Sequence, residues 1–184
     1  MCRFSDRTKP VILIVGGSTG SRAINTAIRG LLPELIKSYN VIHLCGKGNL
    51  AETLYSVSGY AQFEYANQEL SDLFALADLV ISRAGANAIC ELLALRKPNI
   101  LIPLPAEASR GDQILNAESF KKSGYSYVIK EEELSSETLF AAIDDVYNNK
   151  QTYIETMEKS NLTDSTSIIV GMIEELVNNT TKVK

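Results

Sequence analysis

The chain has 184 residues, 45% of them hydrophobic, and its 18 Lys and Arg residues against 22 Asp and Glu residues give a net charge of −4. This length and composition suit one globular domain, or a small pair of domains, with a sizeable buried core. The mildly acidic balance disfavours a nucleic-acid-binding surface, which requires a basic stripe, and no apolar segment approaches the roughly 20 residues of a membrane-spanning helix.

Short apolar segments alternate along the chain with longer segments of helical periodicity. The predicted strands are residues 11–15, 41–45, 60–64, 79–82, 99–102 and 125–129. The predicted helices are 22–38, 50–57, 69–77, 86–95, 113–123 and 135–147, followed by two closing helices at 153–159 and 165–178. Continuous apolar strands such as VILIV are typical of buried parallel strands, so the alternation predicts a doubly wound α/β sheet. Ligands bind beyond the carboxyl ends of the strands in such sheets.

The first predicted strand runs directly into the glycine-rich stretch Gly16-Gly17-Ser18-Thr19-Gly20 and then into a helix. Paired glycines let the backbone turn sharply and approach a ligand closely. Ser18, Thr19 and the N–H groups at the start of the helix can donate hydrogen bonds to an anion, helped by the helix dipole. These residues alone leave two interpretations open: a phosphate-binding turn, or a tight turn that binds nothing.

Two common nucleotide-binding motifs are absent from this stretch. The phosphate-binding loop of NTPases requires a lysine followed by Ser or Thr, which is missing here. The dinucleotide fingerprint requires G-x-G-x-x-G and an acidic residue at the end of the second strand, whereas that strand ends in HLCGKG. The sequence therefore predicts no bound NAD.

A second candidate site follows the strand LVIS at the turn Arg83-Ala84-Gly85-Ala86, which again opens a helix. Within that helix, Asn87 and Glu91 are four residues apart and share one face. A carboxylate at this place could accept hydrogen bonds from both hydroxyls of a ribose. The alternatives are a solvated helix residue for Glu91 and a surface ion pair for Arg83.

A third candidate site lies in the loop after the strand NILIP, where Gln113 and Asn116 stand at the start of a helix. The two amides are three residues apart, so they share a face and suit the hydroxyls of a sugar. The alternative is helix capping by Ser109 or Asp112, which explains Asp112 better than it explains Gln113.

The remaining residues with reactive side chains are interpreted as structural. His43 is the only histidine and lies in the apolar segment VIHLC, so no pair of general acid and base is evident. The chain has three cysteines, Cys2, Cys45 and Cys90. Their odd number and wide spacing fit neither a disulfide framework nor a metal site. We therefore expect a protein of the reducing cytosol.

Three segments resemble, in this order, the C-terminal half of the MurG family, inverting N-acetylglucosaminyltransferases of glycosyltransferase family 28. They are GGSTGSRAIN, ADLVISRAGANAICELLALRKPNILIPLP and ASRGDQILNAESFKKSGYSYVI. The resemblance implies the two-domain GT-B architecture, of which this chain would be one Rossmann-like half. It implies an interdomain segment at residues 1–9, a donor-binding domain at 10–150 and closing helices at 151–184.

The resemblance assigns the first two glycine turns to the diphosphate of UDP-N-acetylglucosamine (UDP-GlcNAc). Gly16, Gly17 and Ser18 would face the phosphates. The turn Arg83-Ala84-Gly85-Ala86 would continue the phosphate cradle through its backbone N–H groups.

The resemblance assigns other residues to the uridine and the sugar. Glu91 would bind both ribose hydroxyls, the amides of Gln113 and Asn116 would recognise GlcNAc, and the backbone of Ala66-Asn67 would contact uracil. At Asp112 the chain departs from family members that carry a second glutamine there.

The same resemblance implies that the whole enzyme transfers GlcNAc from UDP-GlcNAc to lipid I, producing lipid II for peptidoglycan, at the cytoplasmic face of the plasma membrane. The lipid acceptor and the catalytic base would belong to an N-terminal domain. These residues alone would then bind the donor, contain no catalytic residue, and need no metal or other cofactor. Two alternatives remain: a non-enzymatic UDP-GlcNAc-binding subunit that works with a partner chain, and half of a UDP-sugar epimerase.

Overall fold

The computed structural model describes residues 4, 6–17, 19–108 and 110–160. Within them, six strands form one parallel sheet in the order β3-β2-β1-β4-β5-β6. The strands are β1 Val11–Val15, β2 Asn40–Leu44, β3 Tyr60–Phe63, β4 Leu79–Ser82, β5 Asn99–Leu101 and β6 Tyr127–Val128. The chain builds outward from β1 in one direction and then from β4 in the other, so the order reverses between these two strands.

Six α-helices connect and flank the strands of the described chain. They are α1 Arg22–Ser38, α2 Leu70–Leu76, α3 Ala86–Ala94, α4 Asp112–Lys122, α5 Ser136–Asn148 and α6 Lys150–Glu158. The Ser21 side chain caps α1 by accepting a hydrogen bond from the Ile24 N–H, and Ser135 forms a capping box with Thr138 at the start of α5. No helix in the described part of the chain is long and apolar enough to cross a bilayer.

The helices cover both faces of the sheet. Ile12 and Ile14 of β1 point to a core shared with α1 and α5. Val11 and Leu13 point to a second core shared with α2, α3 and α4, and Met157 of α6 is buried in that same core. Because successive strand residues point to opposite faces and both faces are covered, every residue of VILIV is apolar. The predicted doubly wound parallel sheet is confirmed.

Most predicted elements lie within a few residues of the observed ones, and the main exception is the predicted helix at 50–57. Only a three-residue 3-10 turn, Glu52–Leu54, forms there. The segment TLYSVSG is rich in β-branched and turn-forming residues, which lowers its helix propensity. Leu54 and Val57 still pack against the core, so the apolar spacing reflected burial and not a helix. The predicted helix 165–178 lies outside the described residues.

The turns after β1 and β2 contact each other backbone to backbone. Gly20 has a φ of +76° and Gly46 a φ of +86°. A Cβ on Gly20 would overlap the carbonyl oxygen of Cys45, and one on Gly46 would overlap the backbone of Thr19 and Gly20. We call this contact the glycine seam; it requires glycine at both positions for conformation and for space.

We expect Gly46→Ala to destabilise the fold more than Gly48→Ala. Gly48 also has a positive φ, of +73°, but nothing lies within 4 Å of a Cβ placed there. The left-handed conformation alone costs an alanine about 1–2 kcal/mol, whereas Gly46→Ala adds a backbone clash and should cost at least twice as much. Urea denaturation measures both free energies of unfolding, and equal losses would contradict the seam.

Candidate functional site

A cleft of about 630 Å³ opens at the carboxyl end of the sheet between β1 and β4. This is the point where the strand order reverses, the usual ligand site of doubly wound sheets. One wall is the glycine turn after β1, and the other is the turn after β4 with the start of α3. Six of the predicted site residues line the cleft: Gly16, Gly17, Arg83, Gly85, Ala86 and Gln113.

The cleft favours an anion. Its described lining contains no aspartate or glutamate. Gly85 is the N-cap of α3 and no side chain caps that helix, so the N–H groups of the first turn are left for solvent or a ligand. Neither α1 nor α3 has an acidic residue in its first turn, so no carboxylate competes at these helix starts.

Arg83 lines the cleft, but the protein itself engages its guanidinium group. The residue is 8% exposed, and it donates hydrogen bonds to the carbonyls of Ile102 and Pro103 at 3.0 and 3.2 Å and to Ser21 Oγ at 2.6 Å. It also forms an ion pair with Glu131. The alternative interpretation of Arg83 was a surface ion pair. Arg83 does form an ion pair, but the pair is largely buried, so its surface location is wrong. The partners of Arg83 lie far away in sequence, so no local motif predicts them.

Gln113 and Asn116 hold the third loop in place. The Gln113 Oε1 accepts a hydrogen bond from the Leu104 N–H at 3.1 Å. The Asn116 Nδ2 donates to the carbonyl of Ala84 at 3.0 Å, which ties α4 to the turn after β4. Gln113 lines the cleft, whereas the half-buried Asn116 and the fully buried Ala84 are not part of its lining.

Glu91, Ala66 and Asn67, which were also predicted as contacts, do not line the cleft. Glu91 is exposed, one helical turn beyond Asn87, which does line the cleft. Asn67 is exposed, and Ala66 lines a separate groove with Phe63. Ser18 lies outside the described residues. Six lining residues were not predicted as contacts: Val15, Gly20, Ser82, Asn87, Ala88 and Leu104.

His43 is fully buried in β2, in agreement with its structural interpretation. Its Nδ1 lies 3.0 Å from the Tyr60 hydroxyl and its Nε2 lies 2.9 Å from Asn25 Oδ1. Burial, and secondarily the charge of Arg29, lower the pKa of His43 to about 3. The imidazole is therefore neutral at physiological pH.

Residues 11–172 match the glycosyltransferase family 28 C-terminal domain. The chain therefore belongs to glycosyltransferase family 28. The resemblance inferred from the three glycine-turn and amide motifs is confirmed, and with it the α/β fold of a GT-B half.

Curated members of family 28 are close in sequence over nearly all of this chain. It is 64% identical over 167 residues to the UDP-N-acetylglucosamine--N-acetylmuramyl-(pentapeptide) pyrophosphoryl-undecaprenol N-acetylglucosamine transferase of Lachnoclostridium phytofermentans, covering 91% of this chain and 47% of that protein. Identity to the same-named protein of Clostridium novyi is 57% over 175 residues, covering 95% and 49%. The chain thus spans about half the length of the curated relatives it matches.

A solved structure shares the fold. The crystal structure of Acinetobacter baumannii MurG superposes with a TM-score of 0.74 at 24% identity, covering 91% of this chain and 50% of that one.

We expect Arg83→Lys to lower the free energy of unfolding by about 3 kcal/mol, because each buried acceptor that is left unpaired costs about 1–3 kcal/mol. Lysine keeps the charge but cannot reach four acceptors with one planar group. Arg96→Lys is the matched control, since the Arg96–Glu158 pair joins side chains that are 54% and 49% exposed, and exposed pairs contribute less than about 1 kcal/mol. Chemical denaturation measures both, and an Arg83→Lys loss as small as the control's would contradict the structural role.

Proposed function

We propose that this family 28 chain is the donor-binding half of an inverting N-acetylglucosaminyltransferase and binds UDP-GlcNAc in the cleft between β1 and β4. The observation that carries the proposal is the cleft itself: it lies at the strand-order reversal, contains no carboxylate in its described lining, and is opened by an uncapped helix start. Such a site suits a diphosphate bound by backbone N–H groups.

The diphosphate would lie between the two glycine turns. The N–H groups of Gly17, of the Ser18 position and of the first turn of α3 would donate to the phosphate oxygens. Gly85 supports this placement, because its φ of −67° is accessible to any residue and nothing lies within 4 Å of a Cβ placed there. The fold does not need a glycine at this position, whereas a ligand close to the backbone does.

The uridine and the sugar would extend to opposite sides of the diphosphate. Glu91 would accept hydrogen bonds from the two ribose hydroxyls, and its side chain makes no hydrogen bond or ion pair with other described residues. Gln113 and Asn116 would face the GlcNAc, with the Gln113 carbonyl oxygen held by the Leu104 N–H. The backbone of Ala66-Asn67 would contact uracil.

In the whole enzyme, a hydroxyl of lipid I would attack the anomeric carbon of GlcNAc, with inversion, and UDP would leave to give lipid II. The negative charge that develops on UDP would be stabilised by N–H groups that are already aligned before reaction. The acceptor site, the base that takes the hydroxyl proton and the contact with the plasma membrane would belong to an N-terminal domain. No metal or other cofactor enters this proposal.

We expect UDP and UDP-GlcNAc to bind the chain, and to bind more tightly than ADP or NAD. Calorimetric or NMR titration measures the four affinities. Gly85→Ala should abolish or strongly weaken UDP binding while leaving the melting temperature unchanged, because the methyl group fills the cleft without a clash in the protein. Equal or tighter binding of NAD would contradict the proposal.

The same titration tests Glu91. A hydrogen bond to a charged group contributes about 1.5–3 kcal/mol, so Glu91→Gln should weaken UDP binding about tenfold or more. Asp144→Asn, an equal charge change on an exposed residue of α5, is the control and should bind UDP like the unaltered chain. Unchanged affinity in Glu91→Gln would show that Glu91 is an ordinary solvated residue.

Assaying GlcNAc transfer to a lipid I analogue separates the proposal from its alternatives. We expect no transfer by this chain alone, because positioning the acceptor contributes a large part of a barrier, about 7–11 kcal/mol. Fusing an N-terminal half of a close family 28 relative should restore transfer. Restoration only by a separate partner chain would favour the binding-subunit alternative, and interconversion of UDP-GlcNAc with its epimer would favour the epimerase alternative.

A further inference from the structure

The glycine turn after β1 depends on a neighbour for its position. Gly20 packs against the carbonyl of Cys45 across the glycine seam. Thr19 and Gly20 line the cleft. A displacement of the Cys45 carbonyl would therefore move a wall of the ligand site.

Three side chains fix the turn after β2: two come from α1 and one directly follows β3. Glu64 accepts a hydrogen bond from the Gly48 N–H at 2.7 Å, and Arg29 donates to the Asn49 carbonyl. Asn25 Nδ2 donates to the Cys45 carbonyl at 3.0 Å. Of these three bonds, only the one from Asn25 is made to the Cys45 carbonyl, which is the group that Gly20 contacts.

Asn25 also belongs to the first turn of α1, where its N–H donates to the carbonyl of the capping residue Ser21 at 2.8 Å. Its side chain is buried. One residue therefore connects the helix start that follows the cleft turn with the carbonyl that supports that turn.

A buried relay orients the Asn25 amide. Because Nδ2 donates to the Cys45 carbonyl, Oδ1 is the acceptor toward His43, and His43 Nε2 must carry the proton of that 2.9 Å hydrogen bond. His43 Nδ1 is then the acceptor for the Tyr60 hydroxyl at 3.0 Å. All three side chains are buried, and this assignment satisfies each of their contacts. A flipped amide would place two donors, or two acceptors, against each other.

We propose that Asn25 is a positioning residue for the ligand cleft: through the Cys45 carbonyl it holds the glycine turn after β1 in its ligand-binding conformation, and His43 and Tyr60 orient its amide. This inference rests on the proposed function, since it assigns the turn to a diphosphate. It gives the lone histidine a role in binding without any role in proton transfer.

The test compares two variants that break opposite ends of the relay. Asn25→Ala removes the bond to the Cys45 carbonyl, whereas Tyr60→Phe removes only the distant hydroxyl and leaves that bond in place. Both should lower the melting temperature. At a temperature where both remain folded by circular dichroism, Asn25→Ala should raise the Kd for UDP at least tenfold and Tyr60→Phe should change it less than twofold.

A measurement on the unaltered chain keeps the inference testable if Asn25→Ala does not fold. Adding UDP should shift the NMR signal of the Asn25 carboxamide, although that group lies outside the cleft lining. The Asn99 carboxamide is the control, because it is equally buried and hydrogen-bonded, to the carbonyls of Lys97 and Tyr125, near the start of β5. Its signal should not move.

These experiments distinguish a failure of the inference from a failure of the proposed function. Failure of the unaltered chain to bind UDP overturns the proposed function and this inference with it. Three results would overturn the inference alone, provided that the unaltered chain binds UDP. The Asn25 signal does not shift, the affinity of Asn25→Ala is unchanged, or both variants lose affinity in proportion to their loss of stability.

Discussion

The buried guanidinium of Arg83 organises the carboxyl edge of the sheet. It stands at the end of β4 and contacts the capping residue of α1, two carbonyls at the end of β5 and Glu131 after β6. A buried charge without partners costs several kcal/mol, so these segments can only pack together with the guanidinium satisfied. The cleft between β1 and β4 has its shape because this one side chain binds the loops on both sides of it.

Backbone groups and side chains have different roles around the cleft. The proposed anion-binding donors are N–H groups of glycine turns and of a helix start, which need no side chain and allow a ligand close approach. The side chains that sequence reasoning assigned to the ligand are instead partly used to fix those turns: Arg83, Asn116 and the carbonyl oxygen of Gln113 all bond to protein groups. A chain of net negative charge can thus present a cleft that suits an anion, because local dipoles and the lack of carboxylates in its described lining outweigh the global charge.

The parts of the fold that the sequence predicted are those governed by local pattern. Apolar runs located the strands, and the predicted helix at 22–38 has the bounds of α1. The family motifs located the cleft, because each lies directly after a strand. The failures have a different cause. At 50–57 the apolar spacing arises from burial, and no helix forms there. The hydrogen-bond partners of Arg83 and of His43 lie in other elements, so only the folded topology brings them together. Spacing could suggest that Asn87 and Glu91 share a face, but not that Asn87 alone reaches the cleft lining.

The neutral state of His43 links the stability of this edge to pH while leaving the hydrogen bonds that support the glycine turn unchanged near neutral pH. Burial lowers the pKa of His43 to about 3, whereas in an unfolded chain it is about 6.5. Between these values the unfolded chain binds a proton that the folded chain excludes, so this residue makes stability fall as pH drops below about 6.5. The imidazole does not titrate above that pH in the folded state, so the relay from Tyr60 to Asn25 keeps one hydrogen-bonding pattern. The support of the glycine turn then comes from groups of fixed charge, and any pH dependence of the proposed diphosphate binding near neutrality must arise from the ligand or from groups outside this relay.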